Sequence, residues 1–183
     1  MGKKGRLEAA FHRARRKSRL RIPDHRFHHC AGAPACSRRP KGGTEDEAIG
    51  RSRGGLSTKI SIAVDALGNP VRFILTGGQV ADICQAEGLI EGFSFENLLA
   101  DKGYDSDRFR ASIADAGAEA VIPSNRSRSR AIPYDKDLYK ERNLVERFIN
   151  KIKHYRRIAT RYEKTVSSFA AVLFLVAAMI WLQ

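Results

Sequence analysis

The chain has 183 residues, with 33 Lys and Arg against 20 Asp and Glu, and so carries a formal net charge of +13. This length accommodates one domain, and 43% apolar residues suffice for a core, which excludes wholesale disorder. The positive balance favours a polyanionic partner, with nucleic acid ahead of an acidic membrane surface.

Residues 1–43 differ from the rest of the chain. They hold 13 Lys and Arg against two carboxylates and show no helical or alternating period. We therefore predict a disordered or irregular basic segment over 1–43, followed by a domain over 44–183. One cluster in the segment could suggest zinc, but its spacing fits no standard finger; it comprises His25, His28, His29, Cys30 and Cys36. Three cysteines without a CxxC pair, and no apolar signal segment, favour a cytoplasmic protein.

Regular elements are predicted from about residue 59. Two strand-like runs, 59–64 and 71–76, flank the turn sequence ALGNP and indicate a β-hairpin. A short amphipathic helix follows over 80–90, with Cys84 as a small buried side chain. Next come a strand over 97–100, a helix over 106–116 capped by Ser106, and a strand over 118–122. This order predicts an α/β fold, a mixed sheet flanked by helices.

A long helix is predicted from about residue 136 to 155, after the basic loop 125–130. At 3.6 residues per turn, four polar side chains lie within a stripe about 60° wide, and apolar ones fall opposite. The stripe comprises Tyr139, Arg142, Glu146 and Lys153. By itself this pattern also fits a solvated helix with one surface ion pair. The final apolar run, 169–182, is too short for a bilayer and predicts a buried core helix.

Several strings in the chain match one known family closely. They are GRSRGGLSTKI, VDALGNPVRFILTGGQ, LLADKGYDSD, YKERNLVERFINKIK and HYRRIATRYEKT, together with the spacing of the Tyr, Arg, Glu and Lys stripe. From about residue 42 onward the chain resembles DDE transposases of the bacterial insertion-sequence family usually numbered five, which is related to the family numbered four. The resemblance implies an RNase H-like fold in which three carboxylates hold two divalent metals, normally Mg²⁺, with Mn²⁺ able to substitute.

The resemblance also assigns roles to residues. Asp101 matches the second Asp and Glu146 the Glu, so both become catalytic residues and metal ligands, as suits the preference of Mg²⁺ for oxygen. The predicted DNA contacts are Tyr139, Arg142, Lys153, Arg126, Arg128, Arg130, Arg156 and Arg157. The implied partners are the terminal inverted repeats and target DNA, with a homo-oligomer at synapsis and no membrane. A nucleoid-associated place in the cytoplasm follows.

The first Asp of the family is not found in this reading frame. Asp24 is the only acidic residue between Glu8 and Glu45, and RIPDHRF is not a strand-like context. However, codons for residues 26–29 can be chosen so that a one-base shift reads Asp-Ser-Thr-Ile, and the shifted frame can continue with a family-like segment. We therefore hypothesise that the chain is out of frame up to about Pro40.

Three functions compete for this sequence. The leading one is a transposase that cleaves element ends and transfers strands in a metal-dependent reaction, with this chain as a partial or frameshifted form that is inactive alone. The alternative is a catalytically dead DNA-binding transposase remnant. A basic RNA-binding protein is disfavoured, because the 8% aromatic residues are mostly spent on core positions.

Overall fold

The structure, a computed structural model, describes residues 19–22, 24–28, 47–52 and 55–182. In these ranges seven strands form one mixed sheet, and helices cover both of its faces. The strands are β1 (Arg19–Ile22), β2 (Asp24–His28), β3 (Gly50–Ser52), β4 (Gly55–Val64), β5 (Pro70–Gly77), β6 (Asn97–Ala100) and β7 (Glu119–Val121). The helices are α1 (Ala86–Ile90), α2 (Asp107–Asp115), α3 (Lys136–Lys140), α4 (Asn143–Lys153), α5 (Arg156–Ala159) and α6 (Val166–Trp181).

The sheet runs from antiparallel strands at one side to parallel strands at the other. β5 and β1 both pair antiparallel with β4, and β1, β6 and β7 are parallel. β2 continues the line of β1 along β4, because Arg21 pairs with Val64 and Asp24 pairs with Ser61 in one unbroken register. The carboxyl ends of β1, β6 and β7 therefore meet at one edge of the sheet.

Two apolar clusters lie on opposite faces of the sheet. Along β4, Ile60, Ile62 and Val64 belong to the cluster beneath α4, α5 and α6, whereas Ala63 belongs to the cluster beneath α1 and α2. This alternation follows from the two-residue period of a strand. Because helices cover both faces, β4 is buried along its last eight residues, including Lys59.

The predicted hairpin is confirmed, with longer strands than expected. β4 and β5 pair from Thr58–Gly77 to Val64–Pro70, and Asp65 closes the turn by accepting from the amides of Leu67 and Asn69, both at 2.9 Å. The turn needs Gly68, whose φ of 90° lies in the left-handed region.

The predicted helix over 80–90 is tighter at its start than expected. Residues Asp82–Gln85 form a 3₁₀ turn, and only Ala86–Ile90 is α-helical. A 3₁₀ turn has three residues per turn rather than 3.6, which shifts the phase of the side chains. As a result Cys84 is exposed, and its assignment as a buried side chain was wrong.

The prediction of an irregular segment over 1–43 was wrong for the part that the structure describes. β1 and β2 lie within it, Leu20 and Ile22 are buried in the core, and Asp24 begins a strand. These residues are ordered by non-local pairing with β4 and β6, which a local sequence pattern does not display. The remainder of the segment, including the Cys30 and Cys36 cluster, lies outside the described residues.

The predicted long helix is two helices. α3 ends at Lys140 and α4 begins at Asn143; between them the Arg142 amide donates to the Tyr139 carbonyl at 3.0 Å, a three-residue spacing. The buried side of α4 is confirmed and consists of Val145, Phe148, Ile149 and Ile152. The break reorients α3 without separating Tyr139 from Arg142.

The predicted final helix is confirmed as α6, but only one side of it is buried. Phe169, Leu173, Val176, Ala177 and Ile180 face the core. On the other side Phe174 and Leu175 are 57% and 63% exposed. Within the described ranges, no helix is both long and apolar enough to cross a membrane.

Candidate active site

Asp101 directly follows β6 at the carboxyl edge of the parallel strands. Leu99 pairs with position 21, which pairs with Val64, so all three positions share the face that α4 covers. The alternation of the strand places Asp101 on this same face. Its Oδ1 accepts from the Lys102 amide at 2.8 Å and caps the turn that follows, and the side chain stays partly exposed.

Glu146 lies in the first turn of α4, on the side away from the core. Its Oε1 accepts from Nη2 of Arg142 at 2.7 Å, and its side chain is 44% exposed. A carboxylate in a first helical turn is favoured by the helix dipole. The Arg142 pairing, four residues apart, adds a screened surface contribution of a few tenths of a kcal/mol.

Tyr139 connects the two carboxylates. Its ring lies 5.5 Å from Cζ of Arg142 and 5.5 Å from the ring of Tyr134. Burial raises the pKa of Tyr139, the Arg142 guanidinium opposes this, and the nearby charge of Asp101 raises it further. The phenol therefore stays protonated at neutral pH. The structure thus brings together Asp101, Tyr139, Arg142 and Glu146, four of the predicted site residues.

The remaining predicted DNA contacts divide into two groups. Arg126 and Arg130 are exposed on the loop after β7, at the same sheet edge as Asp101. Lys153 lies two turns along α4 from Glu146, about 10 Å away. Beyond it, exposed Arg156 and Arg157 lie on α5, and Arg157 is 3.5 Å from Glu163.

Arg128 differs from the prediction. Its guanidinium is held by two carboxylates, with Nε 3.0 Å from Asp105 and Nη1 2.6 Å from Asp107. Only 19% of its side chain is exposed. The alternation of Arg with Ser at 126–130 does not reveal this, because the partners lie some 20 residues upstream. The acidic run in DKGYDSD was the available signal.

Two of the three carboxylates that the family uses for metal are in place. Among the described residues, no group of three or more His, Cys, Asp or Glu side chains is positioned to hold a metal ion. Asp24 does not supply the third by its register: it pairs with Ser61, which alternates with Ile60 and Ile62. The register position of Asp24 is therefore on the face opposite to Asp101.

The fold and the paired carboxylates at a strand end and on a helix agree with the comparison to known proteins. The sequence profile of the transposase DDE domain matches residues 15–182, so the chain belongs to this family of DNA-cleaving and strand-transferring enzymes.

Two relatives carry the names of insertion-sequence transposases. One, for element IS6501 of Brucella ovis, is 44% identical over 130 residues, covering 70% of this chain and 100% of the relative. The other, for element IS402 of Burkholderia cepacia, is 34% identical over 154 residues, 78% of this chain and 69% of the relative. The chain is accordingly an insertion-sequence transposase, as the sequence predicted.

Proposed function

We propose that this chain carries an RNase H-like catalytic site in which Asp101 and Glu146 hold a divalent metal for cleavage and strand transfer at the ends of an insertion sequence. The observation that carries the proposal is the meeting of both carboxylates on one face of the sheet, beside Tyr139 and Arg142. The sheet order also fits such a fold, with antiparallel β5, β4 and β1 followed by parallel β6 and β7. The reaction takes place on DNA, in the cytoplasm at the nucleoid.

The donor set suits Mg²⁺, with Mn²⁺ as a substitute, because both carboxylates offer hard oxygen ligands. Glu146 already accepts a cation, since the Arg142 guanidinium lies where a positive charge is favoured. When bound, the metal supplies activation of the attacking oxygen and stabilisation of the leaving one. Arg142 can then turn to a DNA phosphate through its planar fork, and protonated Tyr139 can donate to a phosphate oxygen.

This chain as written is proposed to be an incomplete form. Asp101 and Glu146 leave one of three family carboxylates unassigned, and the register of Asp24 does not place it with them. The shifted frame supplies Asp-Ser-Thr at residue 26, on the strand beside β4. Under this proposal the isolated chain binds DNA without cleaving it, as a dead remnant also would. The coding DNA distinguishes the two, because a remnant need not retain an Asp-Ser-Thr reading in the shifted frame.

We expect this chain to bind duplex DNA mainly through phosphates. Arg126→Ala and Arg130→Ala should each weaken binding to all sequences and reduce the slope of log affinity against log salt by about 1. Fluorescence anisotropy with a mixed-sequence duplex at several salt concentrations measures both effects. Lys153→Ala and Arg156→Ala test whether the path extends along α4 and α5.

Arg108 provides the matched control for these substitutions. It is 84% exposed on α2 and pairs with Glu87 at 2.8 Å, on the other face of the sheet. Arg108→Ala should leave the salt slope unchanged. Equal slopes for the Arg108, Arg126 and Arg130 variants would contradict a DNA surface at this sheet edge.

We also propose that the chain forms a homo-oligomer through the exposed side of α6. This 16-residue helix has no charged residue, in a chain of net charge +13, so it offers one of the few surfaces where two copies meet without repulsion. Its large exposed side chains are Phe174, Leu175, Met179, Trp181 and, just beyond, Leu182. At roughly 100 Å² each, two copies bury about 1,000 Å², the size at which specific interfaces begin.

Light scattering at micromolar concentration tests this oligomer. The wild-type chain should be a dimer, and the double substitution Phe174→Glu with Leu175→Glu should make it monomeric, because the interface would bury charge without a partner. Leu67→Glu, at a side chain 80% exposed in the hairpin turn, should leave the dimer intact. A monomeric wild-type chain, or a double variant that still dimerises, would refute the proposed surface.

A further inference from the structure

Asp105 is a buried carboxylate that the proposed catalytic chemistry does not use. Its side chain is fully buried, and both of its oxygens accept hydrogen bonds. Oδ1 accepts from Nε of Arg110 at 2.7 Å and from Nη2 of Arg128 at 3.1 Å. Oδ2 accepts from the Asn125 amide at 2.7 Å and from Nε of Arg128 at 3.0 Å. Such complete pairing is what makes a buried charge tolerable.

The partners of Asp105 come from three different parts of the site edge. Arg110 lies on α2 and also donates from Nη2 to the Ile122 carbonyl, 2.7 Å away at the end of β7. Asn125 and Arg128 lie on the loop Ser124–Ile132, which we call the basic loop. Its ends are joined by a 2.8 Å hydrogen bond from the Ile132 amide to Oγ of Ser124. Asp105 therefore fastens the basic loop to the sheet.

The same residue closes the turn that begins at Asp101. The Asp105 amide donates to the Lys102 carbonyl at 3.2 Å, and the Tyr104 amide donates to the Asp101 carbonyl at 2.9 Å. Tyr104 is fully buried and packs 6.2 Å from the ring of Phe109. A shift of Asp105 would therefore be transmitted to both Asp101 and the basic loop.

Asp105 stays ionised under ordinary conditions. Burial opposes its charge, but hydrogen bonds from Arg128, the Asn125 amide and Arg110 outweigh it and lower the pKa to about 2. A lowered pKa means that the ionised carboxylate contributes stability above about pH 4, and that this contribution is lost as the pH falls toward 2. The pairing thus persists at every pH at which DNA is bound.

We propose that Asp105 is a positioning residue that, through Arg128, holds the basic loop in a fixed shape beside Asp101 and so presents Arg126 and Arg130 to DNA. The proposal rests on the proposed function insofar as the loop binds DNA. In this arrangement Arg128 is a structural clamp rather than a phosphate contact. A pre-ordered loop binds without the loss of conformational freedom that a loose one suffers.

The sign of one change separates a clamp from a phosphate contact. If Arg128 contacts phosphate, Asp105→Asn frees it from a competing carboxylate, and DNA binding becomes tighter. If Asp105 clamps the loop, Asp105→Asn weakens DNA binding by about tenfold. Anisotropy with a mixed-sequence duplex at fixed salt measures the difference, and tighter binding overturns the proposal.

Arg128→Lys tests the same point without touching the buried carboxylate. Lys keeps the charge but cannot form the fork that spans both oxygens of Asp105. We expect Arg128→Lys to weaken DNA binding nearly as much as Arg128→Ala, and the double variant with Asp105→Asn to be no weaker than either single variant. Binding by Arg128→Lys at the wild-type level would overturn the proposal.

Hydrogen exchange of the free protein tests the clamp independently of DNA. In both Asp105→Asn and Arg128→Lys, amides of the basic loop should exchange at least about tenfold faster, while amides of β4 keep their wild-type rates. Asp107→Asn is the matched control, because Asp107 also pairs with Arg128 but is 85% exposed, and it should change little. Unchanged loop exchange refutes the clamp; faster exchange in a chain that does not bind DNA refutes the proposed function alone.

Discussion

Glu146→Gln is expected to abolish metal-dependent DNA cleavage in a protein that carries the shifted-frame Asp-Ser-Thr reading from residue 26. Gln keeps the shape of Glu but cannot neutralise a divalent cation, so the metal loses one of its three carboxylates. We expect cleavage and strand transfer to fall at least about 10³-fold, or about 4 kcal/mol in transition-state stabilisation. The measurement is nicking and joining of element-end DNA with Mg²⁺ or Mn²⁺.

Two controls give this result its meaning. Glu119→Gln changes an exposed carboxylate at the start of β7, at the opposite edge of the sheet, and should leave cleavage unchanged. DNA binding by Glu146→Gln should remain at the wild-type level or tighten slightly, because Arg142 loses its ionic partner. Strand transfer by the chain as written, without the shifted reading, would contradict our assignment of an incomplete site.

The elements that local pattern specifies were predicted well. The hairpin strands alternate around a turn that needs Gly68, and Ser106 caps α2 by accepting from the Phe109 amide at 3.1 Å. The buried side of α4 follows from its 3.6-residue period. The placement of Asp101 after a short apolar strand was also predictable, because the strand ends abruptly in a charged turn.

Features that depend on distant parts of the chain were not predictable in the same way. Arg128 was expected to meet DNA, but its carboxylate partners lie on the turn after β6. Lys59 lies within an alternating run, yet it is buried, because Asp82 supplies its counter-charge and the Val80 carbonyl accepts from it at 2.5 Å. β1 and β2 are specified by their neighbours in the sheet rather than by their own residues. A single sequence shows none of these pairings directly.

Arg161 is the clearest case of a cation whose role the sequence obscured. It belongs to HYRRIATR, a stretch expected to follow the DNA backbone, yet it is completely buried. Its guanidinium donates to the carbonyls of Glu163 (2.9 Å), Lys164 (3.1 Å) and Ala48 (3.4 Å) and to the hydroxyl of Thr58, and it lies 5.0 Å from the Phe169 ring. One side chain thus joins the segment before α6 to β4.

Arg161→Leu is therefore expected to lower the free energy of unfolding by about 3 kcal/mol. Leu fills part of the space over Phe169 but leaves buried carbonyls without donors, each at a cost of about 1–3 kcal/mol. Relief of a buried charge offsets some of this loss. Urea unfolding followed by circular dichroism measures the change.

Comparison with a neighbouring arginine separates stability from DNA contact. Arg157 is 71% exposed, so Arg157→Leu should change the free energy of unfolding by less than about 0.5 kcal/mol while weakening DNA binding. Arg161→Lys should recover only part of the stability, because an ammonium group cannot reach carbonyls on several sides through one planar fork. If Arg161→Leu instead left stability intact and reduced the salt slope of DNA binding, Arg161 would be a phosphate contact, and the junction between β4 and α6 would need another explanation. The burial of its whole side chain against Phe169 and Thr58 argues for the stability role.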